Sequence, residues 1–291
     1  MNKQGIKEKS IAFLQLTKPL VTLSVALTAL TGFILSQGFF AEGWFRVTLG
    51  VFLLSAGSAT INHLQEARLD SLMDRTRQRP IPSGRLSRTE AAIFSALLVA
   101  GGSAILASLN TLTPLVLGLI TLLWYNLIYT RLKQITAFAV VPGSLVGALP
   151  PLIGWAAAGG NITNPKIILV AFFFFIGQIP HFWLILLRHG NDYEKAGFPT
   201  ITRLFTIRQI ANLTLIWVAA TAMAAILPAL FGVIHSPLLN LTIFALAIVL
   251  VWLFRNWHKA PETPNPQPAF ITINVFYLAI MLVFMADALL R

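Results

Sequence analysis

Seven long stretches of the chain contain no aspartate, glutamate, lysine or arginine. A helix needs roughly 20 apolar residues to cross about 30 Å of hydrocarbon, and two of the stretches are long enough for two crossings each. These two are residues 91–130 and 209–254, and the others are 19–41, 47–65, 134–165, 167–187 and 263–286. Polar turns at 108–113 and 235–237 divide the two longest, and each turn has a Thr or Ser before Pro, which is typical of a helix start.

The pattern therefore predicts nine membrane spans. Because lipid offers no hydrogen-bond partner to the backbone, we expect the spans to be helices rather than strands. The predicted fold class is an all-α, polytopic membrane protein. The predicted spans lie near residues 20–37, 45–65, 88–108, 113–130, 137–157, 166–187, 209–231, 237–254 and 268–289.

Composition and charge support a membrane protein. Hydrophobic residues make up 56% of the chain and charged residues only 11%, whereas soluble domains average about 25% charged. The absence of cysteine excludes disulfides, thiolate metal sites and cysteine nucleophiles. In so apolar a chain the net charge of +11 indicates loop topology, and we expect a lipid bilayer and no nucleic acid as partner.

The basic residues predict the orientation. With nine spans, the N-terminus and the loops after spans two, four, six and eight share one side of the membrane. That side carries 18 of the 21 Lys and Arg residues. Since cytoplasmic loops are enriched in Lys and Arg, we expect the N-terminus and these loops to be cytoplasmic. The N-terminal segment has no arginine and leads straight into span one, so we expect neither a transit peptide nor a cleavable signal.

Acidic residues form a first group just past span two. Asn62, Glu66, Asp70 and Asp74 recur every four residues, a step that drifts only about 40° around a helix and rises about 6 Å. Asn62, Glu66 and Asp70 are thus predicted to share one helix face, with Asp74 near its edge. Like charges at this spacing repel one another, and a bound divalent cation would offset that cost.

This carboxylate ladder suggests a Mg²⁺-bridged diphosphate at the membrane surface, because Mg²⁺ prefers one or two carboxylates together with substrate phosphates. The predicted metal ligands are Glu66, Asp70 and Asp74. The remaining phosphate charge would be taken by Arg75, Arg77 and Arg79. The alternative is a solvated helix with ordinary charge pairs, but the run starts inside the end of a span, which favours the site.

A second polar group follows span six and contains Arg188, Asp192, Tyr193 and Lys195. Spans two and six run in the same direction, so both groups are predicted to end on the same face. An anion site between two helix ends and an ordinary ion pair four residues apart both remain open.

Four blocks of sequence resemble the UbiA-type intramembrane prenyltransferases, and within them the branch that farnesylates haem. The resemblance spans nearly the whole chain, and four blocks in the family's order are more specific than any one of them. The blocks are Asn62 to Gly84, Gly147 to Trp155, Pro180-His181-Phe182-Trp183, and Asp192-Tyr193 with Gly197-Phe198-Pro199, preceded by Leu16-Thr17-Lys18-Pro19.

The resemblance implies nine helices around a central cavity, in a single domain over residues 1–291, with loops 64–90 and 188–208 forming an active-site cap. It implies a Mg²⁺-dependent enzyme of the bacterial cytoplasmic membrane that joins farnesyl diphosphate to a vinyl group of haem B, giving haem O. Haem-processing or oxidase-assembly proteins are further expected partners. The implied catalytic residues are Glu66, Asp70 and Asp192, and the implied diphosphate-binding residues are Asn62, Arg75, Arg79, Arg188, Tyr193 and Lys195.

His63 and His181 lie near the two polar groups and are candidates for haem contact, as a base or an iron ligand. The alternative for each is a hydrogen-bonded structural residue. The chain departs from the family at Asp74, often Lys or Glu there, and at Thr200-Ile201-Thr202, where Met-Leu-Pro is usual.

Two alternative functions remain open. A prenyltransferase of the same type could act on another acceptor, such as a quinone precursor or chlorophyllide. A secondary transporter is disfavoured, because transporters place ionisable residues near the midplane, whereas these span interiors are almost free of charge.

Overall fold

The structure, a computed structural model, describes residues 3–37, 41–257 and 265–290. In this part of the chain nine helices are long and apolar enough to cross a membrane, which confirms the predicted count, and no strand is present. They follow a shorter helix, α1, at Lys3–Leu16. The nine are α2 (Pro19–Gln37), α3 (Trp44–Asp70), α4 (Arg88–Ala107), α5 (Thr113–Leu132), α6 (Ala137–Ala157), α7 (Pro165–Lys195), α8 (Ile207–Leu230), α9 (Pro237–Phe254) and α10 (Gln267–Leu289).

Three features differ from the sequence prediction. Helix α1 was not predicted, and it packs on the start of α4 through Ala12 and Leu16. Helix α3 extends to Asp70 instead of ending near residue 65. Helix α7 extends to Lys195 with a break at His189, whose φ of −124° and ψ of 17° are not helical. The two polar groups therefore lie largely on continuations of the span helices rather than on separate loops.

Two hydrophobic cores hold the helices together. One joins α7, α8, α9 and α10, and the other joins α2, α3, α4 and α6. Within the second core α2 and α6 approach backbone to backbone. A Cβ atom at Gly154 would lie 1.7 Å from the Ala29 carbonyl oxygen, and one at Gly32 would lie 1.9 Å from the Pro151 carbonyl oxygen. Glycine is therefore required at both positions.

Contacts of α2 with α10 and of α6 with α7 join the two halves around a central cavity of about 840 Å³. The cavity is lined by residues of α2, α3, α5, α6, α7 and α10, while α4, α8 and α9 lie outside this ring. The predicted central cavity is thus present, and six of the nine spans surround it.

The N-terminal helix and the loop after span two, predicted to share one side of the membrane, contact each other at one end of the bundle. Lys9 pairs with Glu90, which also forms a capping box with Ser87 at the start of α4. At the opposite end, the Gln37 amide donates to the Ala158 carbonyl at 2.9 Å. Two basic residues counted in the charge distribution, Lys259 and Arg291, lie outside the described residues.

Candidate active site

The last two turns of α3 carry three buried oxygen-bearing side chains. Asn62, Glu66 and Asp70 are 1%, 5% and 0% exposed and all line the cavity. Their common orientation confirms the face predicted from the four-residue spacing. The ladder stops there because α3 ends at Asp70, so Asp74 lies beyond the helix in the turns that follow.

Each of these oxygen-bearing side chains contacts a cation from a different element. The Lys18 ammonium, between α1 and α2, donates to Asn62 Oδ1 at 3.0 Å. Arg79, in the segment after α3, donates from Nη1 to both Asp70 oxygens at 2.8 and 2.7 Å. Lys133, just past α5, pairs with Glu66. Charges this deeply buried are stable only when paired, so the three contacts hold three elements against α3.

The cations also affect one another. Burial, reinforced by the positive charges of Arg79 and Lys133, lowers the pKa of Lys18 to about 7. Three basic side chains around two carboxylates make the cluster short of negative charge. An anionic ligand would relieve this repulsion, and a diphosphate carries the appropriate charge.

Helix α5 presents two tyrosines to the cavity through a local π-helix at Trp124–Tyr129. The Thr130 hydroxyl donates to the Tyr125 carbonyl, five residues earlier, at 2.9 Å. Tyr125 and Tyr129 line the cavity with ring centroids 5.6 Å apart, and the Lys133 ammonium lies 5.6 Å from the centre of the Tyr129 ring. Such π-bulges occur frequently at functional sites. Here the bulge places aromatic faces beside the charged cluster.

The segment after α3 contacts the last turn of α7 and the residues that follow it, above the cluster. The Arg75 backbone N–H donates to Asp192 Oδ2 at 3.2 Å. Met73, 3% exposed, packs against Phe198 and Tyr193. These contacts cover the polar end of the cavity with residues from both predicted polar groups.

The structure brings together only part of the predicted site. The predicted residues that line the cavity are Asn62, Glu66, Asp70, Arg75, Arg79, Tyr193 and His181. Those that do not are His63, Asp74, Arg77, Arg188, Asp192 and Lys195.

The predicted site residues that do not line the cavity lie either at the surface or buried elsewhere in the protein. The Lys195 ammonium donates to Asp74 Oδ2 at 2.6 Å on the exposed surface, and this hydrogen bond lowers the pKa of Asp74. Arg188 is exposed. His63 is 3% exposed, and neither of its ring nitrogens has a hydrogen-bond partner among the described residues.

Sequence reasoning missed several cavity residues. Lys18 and Lys133 were counted only as topology-determining charges, although each contacts an oxygen-bearing residue of α3. Tyr125 and Tyr129 gave no signal beyond that of aromatic residues in a span. For Lys18 a signal existed in the Leu-Thr-Lys-Pro block that carries part of the family resemblance.

The residues of the cluster fit a Mg²⁺ ion by their chemistry. Among the described residues no group of three His, Cys, Asp or Glu side chains converges as a metal cage. Two carboxylates and one amide oxygen, those of Glu66, Asp70 and Asn62, do line the cavity on one face of α3. Mg²⁺ is usually held by one or two carboxylates and completes its coordination with water and substrate phosphates.

Fold and site together define a polytopic membrane protein that encloses a cavity with a charged cluster at one end and apolar walls below it. The UbiA prenyltransferase family profile matches residues 25–283. The chain belongs to that family.

Relatives agree with this membership. The chain is 39% identical over 218 residues to the protoheme IX farnesyltransferase of Geobacter sulfurreducens, covering 72% of this chain and 77% of that protein. It is 33% identical over 265 residues to the protoheme IX farnesyltransferase of Oleidesulfovibrio alaskensis, covering 91% and 92%. A UbiA homologue from Archaeoglobus fulgidus, solved bound to GPP and Mg²⁺, shares the fold with a TM-score of 0.72 and 16% identity, covering 96% and 100%.

Binding of inorganic diphosphate with Mg²⁺ should distinguish the cavity cations from the surface cations. We expect Lys18→Met to weaken diphosphate binding at least tenfold, because a hydrogen bond to a charged group contributes about 1.5–3 kcal/mol. Lys195→Met is the matched control and should change the affinity by less than about threefold, because exposed ion pairs contribute little. Isothermal titration calorimetry on the detergent-solubilised protein measures both. Equal losses in the two variants would contradict the placement of the site in the cavity.

Proposed function

We propose that the protein transfers the farnesyl group of farnesyl diphosphate to a vinyl group of haem B, giving haem O and releasing diphosphate. The observation that carries this proposal is the buried cluster of oxygen-bearing side chains and cations at the mouth of a large apolar cavity. Family membership supports prenyl transfer, and the names of the relatives specify the farnesyl donor and the haem acceptor.

The prenyl chain would occupy the apolar part of the cavity. Its walls include Val51, Leu54, Leu122, Ile153 and Phe174. A volume of about 840 Å³ lies in the upper part of the range of small-molecule sites, about 300–1,000 Å³. Such walls shield an allylic cation from water and strengthen the electrostatic interactions at the charged end.

The diphosphate would lie at the charged end. Asn62, Glu66 and Asp70 would hold Mg²⁺, which when bound supplies Lewis-acid stabilisation of the leaving group. Lys18 and Arg79 would then turn from their present partners to phosphate oxygens and stabilise the charge that develops there.

The aromatic faces beside the cluster would stabilise the other half of the ionised substrate. Tyr125 and Tyr129 line the cavity next to Lys133, so they would face the first carbon atoms of the prenyl chain. A cation close to an aromatic face is attracted to it by the ring quadrupole.

For the acceptor, His181 is the histidine that we propose contacts haem. It lines the cavity and its ring lies 4.8 Å from the ring of Phe270. His63 has no such access, since it is buried outside the lining. Asp192 lies outside the cavity lining. We propose that it positions the segment after α3 by accepting from the Arg75 backbone N–H, rather than acting in catalysis.

We further propose that the charged end faces the cytoplasm, where the basic loops are expected. The cysteine-free chain allows a direct test with single cysteines at Lys7 and Asn161, at opposite ends of the bundle. A membrane-impermeant maleimide added to intact spheroplasts should label position 161 and not position 7, and inverted vesicles should give the reverse. Labelling of position 7 in intact spheroplasts would contradict this orientation.

The product assay tests the acceptor and donor. Purified protein in liposomes with Mg²⁺, haem B and farnesyl diphosphate should give haem O, identified by mass, and release diphosphate. Quinone precursors and chlorophyllide offered in place of haem should give no prenylated product. Prenylation of one of those acceptors but not of haem would establish the alternative prenyltransferase. Absence of Mg²⁺-dependent diphosphate release with every acceptor would favour a transporter.

Paired carboxylate variants test which of Asp70 and Asp74 is a Mg²⁺ ligand. We expect Asp70→Asn to lower turnover at least a hundredfold, because it removes a buried charge from the Mg²⁺ site. Asp74→Asn should remain within about threefold of the parent, because Asp74 forms only exposed ion pairs, with Lys195 and Arg77. Initial rates at saturating Mg²⁺ measure both, with circular dichroism as the folding control. A large loss in Asp74→Asn would restore Asp74 to the metal site, and parent-like activity of Asp70→Asn would remove Asp70 from it.

A further inference from the structure

Two polar side chains interrupt the apolar wall of the cavity well below the charged cluster. Gln178 on α7 and Asn274 on α10 both line the cavity. Tyr277 contacts the helix at Gly177, since a Cβ atom there would lie 1.3 Å from the tyrosine oxygen. One turn along α7, the rings of His181 and Phe270 are 4.8 Å apart. Because α7 and α10 meet at both of these points, Gln178 and Asn274 lie at the same level between them.

The Gln178 side chain packs directly against the backbone of Gly147. A Cβ atom at Gly147 would lie 2.6 Å from Gln178 Cγ and 2.9 Å from Nε2, so only glycine leaves room for the amide at this place. The amide makes no hydrogen bond to any described residue. The Asn274 amide nitrogen donates one N–H to the Phe270 carbonyl at 2.7 Å, and its carbonyl oxygen accepts no hydrogen bond from a described residue.

Polar groups in an apolar cavity are costly unless they have hydrogen-bond partners. A prenyl chain offers none. Water is the small ligand that matches both amides, because it can donate one O–H to Asn274 and accept from the Gln178 N–H, which leaves its second O–H for a further acceptor. The imidazole of His181, three residues from Gln178 on the same helix face, also lines the cavity and makes no hydrogen bond to a described residue.

The distance of Gln178 and Asn274 from the charged cluster suits the proposed transfer of a prenyl group to a vinyl group. On α6, a Cβ atom at Gly143 would lie 2.5 Å from the Tyr129 ring, and Gly147, four residues on, contacts Gln178. Tyr129 is in turn four residues before Lys133. Gln178 therefore lies about two helical turns, ~11 Å, below the level of Lys133 and its partner Glu66. That distance leaves room for a diphosphate, the first prenyl carbon and the two vinyl carbons.

We propose that Gln178 and Asn274 bind the water molecule that is added to the vinyl group, and that His181 accepts its proton. This inference rests on the proposed function. C1 of the farnesyl group loses its bond to the diphosphate oxygen and bonds to the terminal vinyl carbon, which leaves a cation on the carbon attached to the pyrrole. The water oxygen bonds to that carbon, and one water proton passes to the His181 imidazole and from there to solvent.

A water held at this depth explains how hydration is confined to one carbon. Water near the charged cluster would attack the farnesyl cation and give farnesol. Water bound two turns lower reaches the cation formed after the carbon–carbon bond. Without it, the cation loses a proton and gives a conjugated alkene, a product lighter than haem O by one water.

The ratio of these products tests the proposal. Gln178→Met keeps the side-chain length against Gly147 and removes the amide, so the ratio of haem O to the dehydrated product should fall about tenfold, as expected for one hydrogen bond of about 1–1.5 kcal/mol. Asn274→Leu should shift the ratio in the same direction. Thr121→Val is the matched control, since the Thr121 hydroxyl also belongs to a cavity residue but already donates to the Leu117 carbonyl at 2.7 Å.

Products are separated by liquid chromatography and mass spectrometry, and H₂¹⁸O marks the added oxygen. A fall in the ratio in both amide variants, with the control unchanged, supports the proposal. An unchanged ratio in the two amide variants overturns it, even if total turnover falls, because a merely structural role would not alter the ratio. Failure of the parent protein to prenylate haem at all would instead overturn the proposed function.

Discussion

The pairing of buried oxygen-bearing groups on α3 with cations from elsewhere in the chain is the constraint on which the site depends. Glu66 and Asp70 are almost completely removed from solvent, and burying a carboxylate there without a partner would cost several kcal/mol. The counter-charges come from Arg79 and Lys133, and Lys18 contacts the neighbouring amide. One helix thereby fixes the start of α2, the segment after α3 and the end of α5 around the mouth of the cavity.

This arrangement also prepares the site for a charged ligand. The cations already lie at the mouth of the cavity, so binding of the proposed diphosphate would exchange one set of charge-assisted contacts for another. Preorganised charge in a low-dielectric setting is the largest contribution that most enzymes make to transition-state stabilisation. In the proposed function, the apolar walls below the cluster would keep the reactive chain away from water, apart from the level of Gln178 and Asn274.

Much of this architecture was predictable from the sequence because membranes impose strong periodicity and length requirements. The nine spans follow from charge-free stretches, and the common face of Asn62, Glu66 and Asp70 follows from their four-residue spacing. Asp74 fails the same rule because α3 ends at Asp70, and helix ends depend on tertiary contacts as much as on local sequence. Lys18 and Lys133 were hidden because a basic residue at a span end is the ordinary signature of topology. Gln178 could not be recognised, since its position depends on Gly147 of a neighbouring helix.

In the proposed mechanism, the buried carboxylates exchange their present cations for Mg²⁺ while those cations turn to the diphosphate. The most direct test is an experimental structure determined with Mg²⁺ and inorganic diphosphate. The claim predicts that oxygens of Glu66 and Asp70 lie at about 2.0–2.1 Å from the metal, and that Lys18 and Arg79 contact phosphate oxygens. A structure in which diphosphate is bound elsewhere, with Arg79 still on Asp70 and Lys133 still on Glu66, would contradict it.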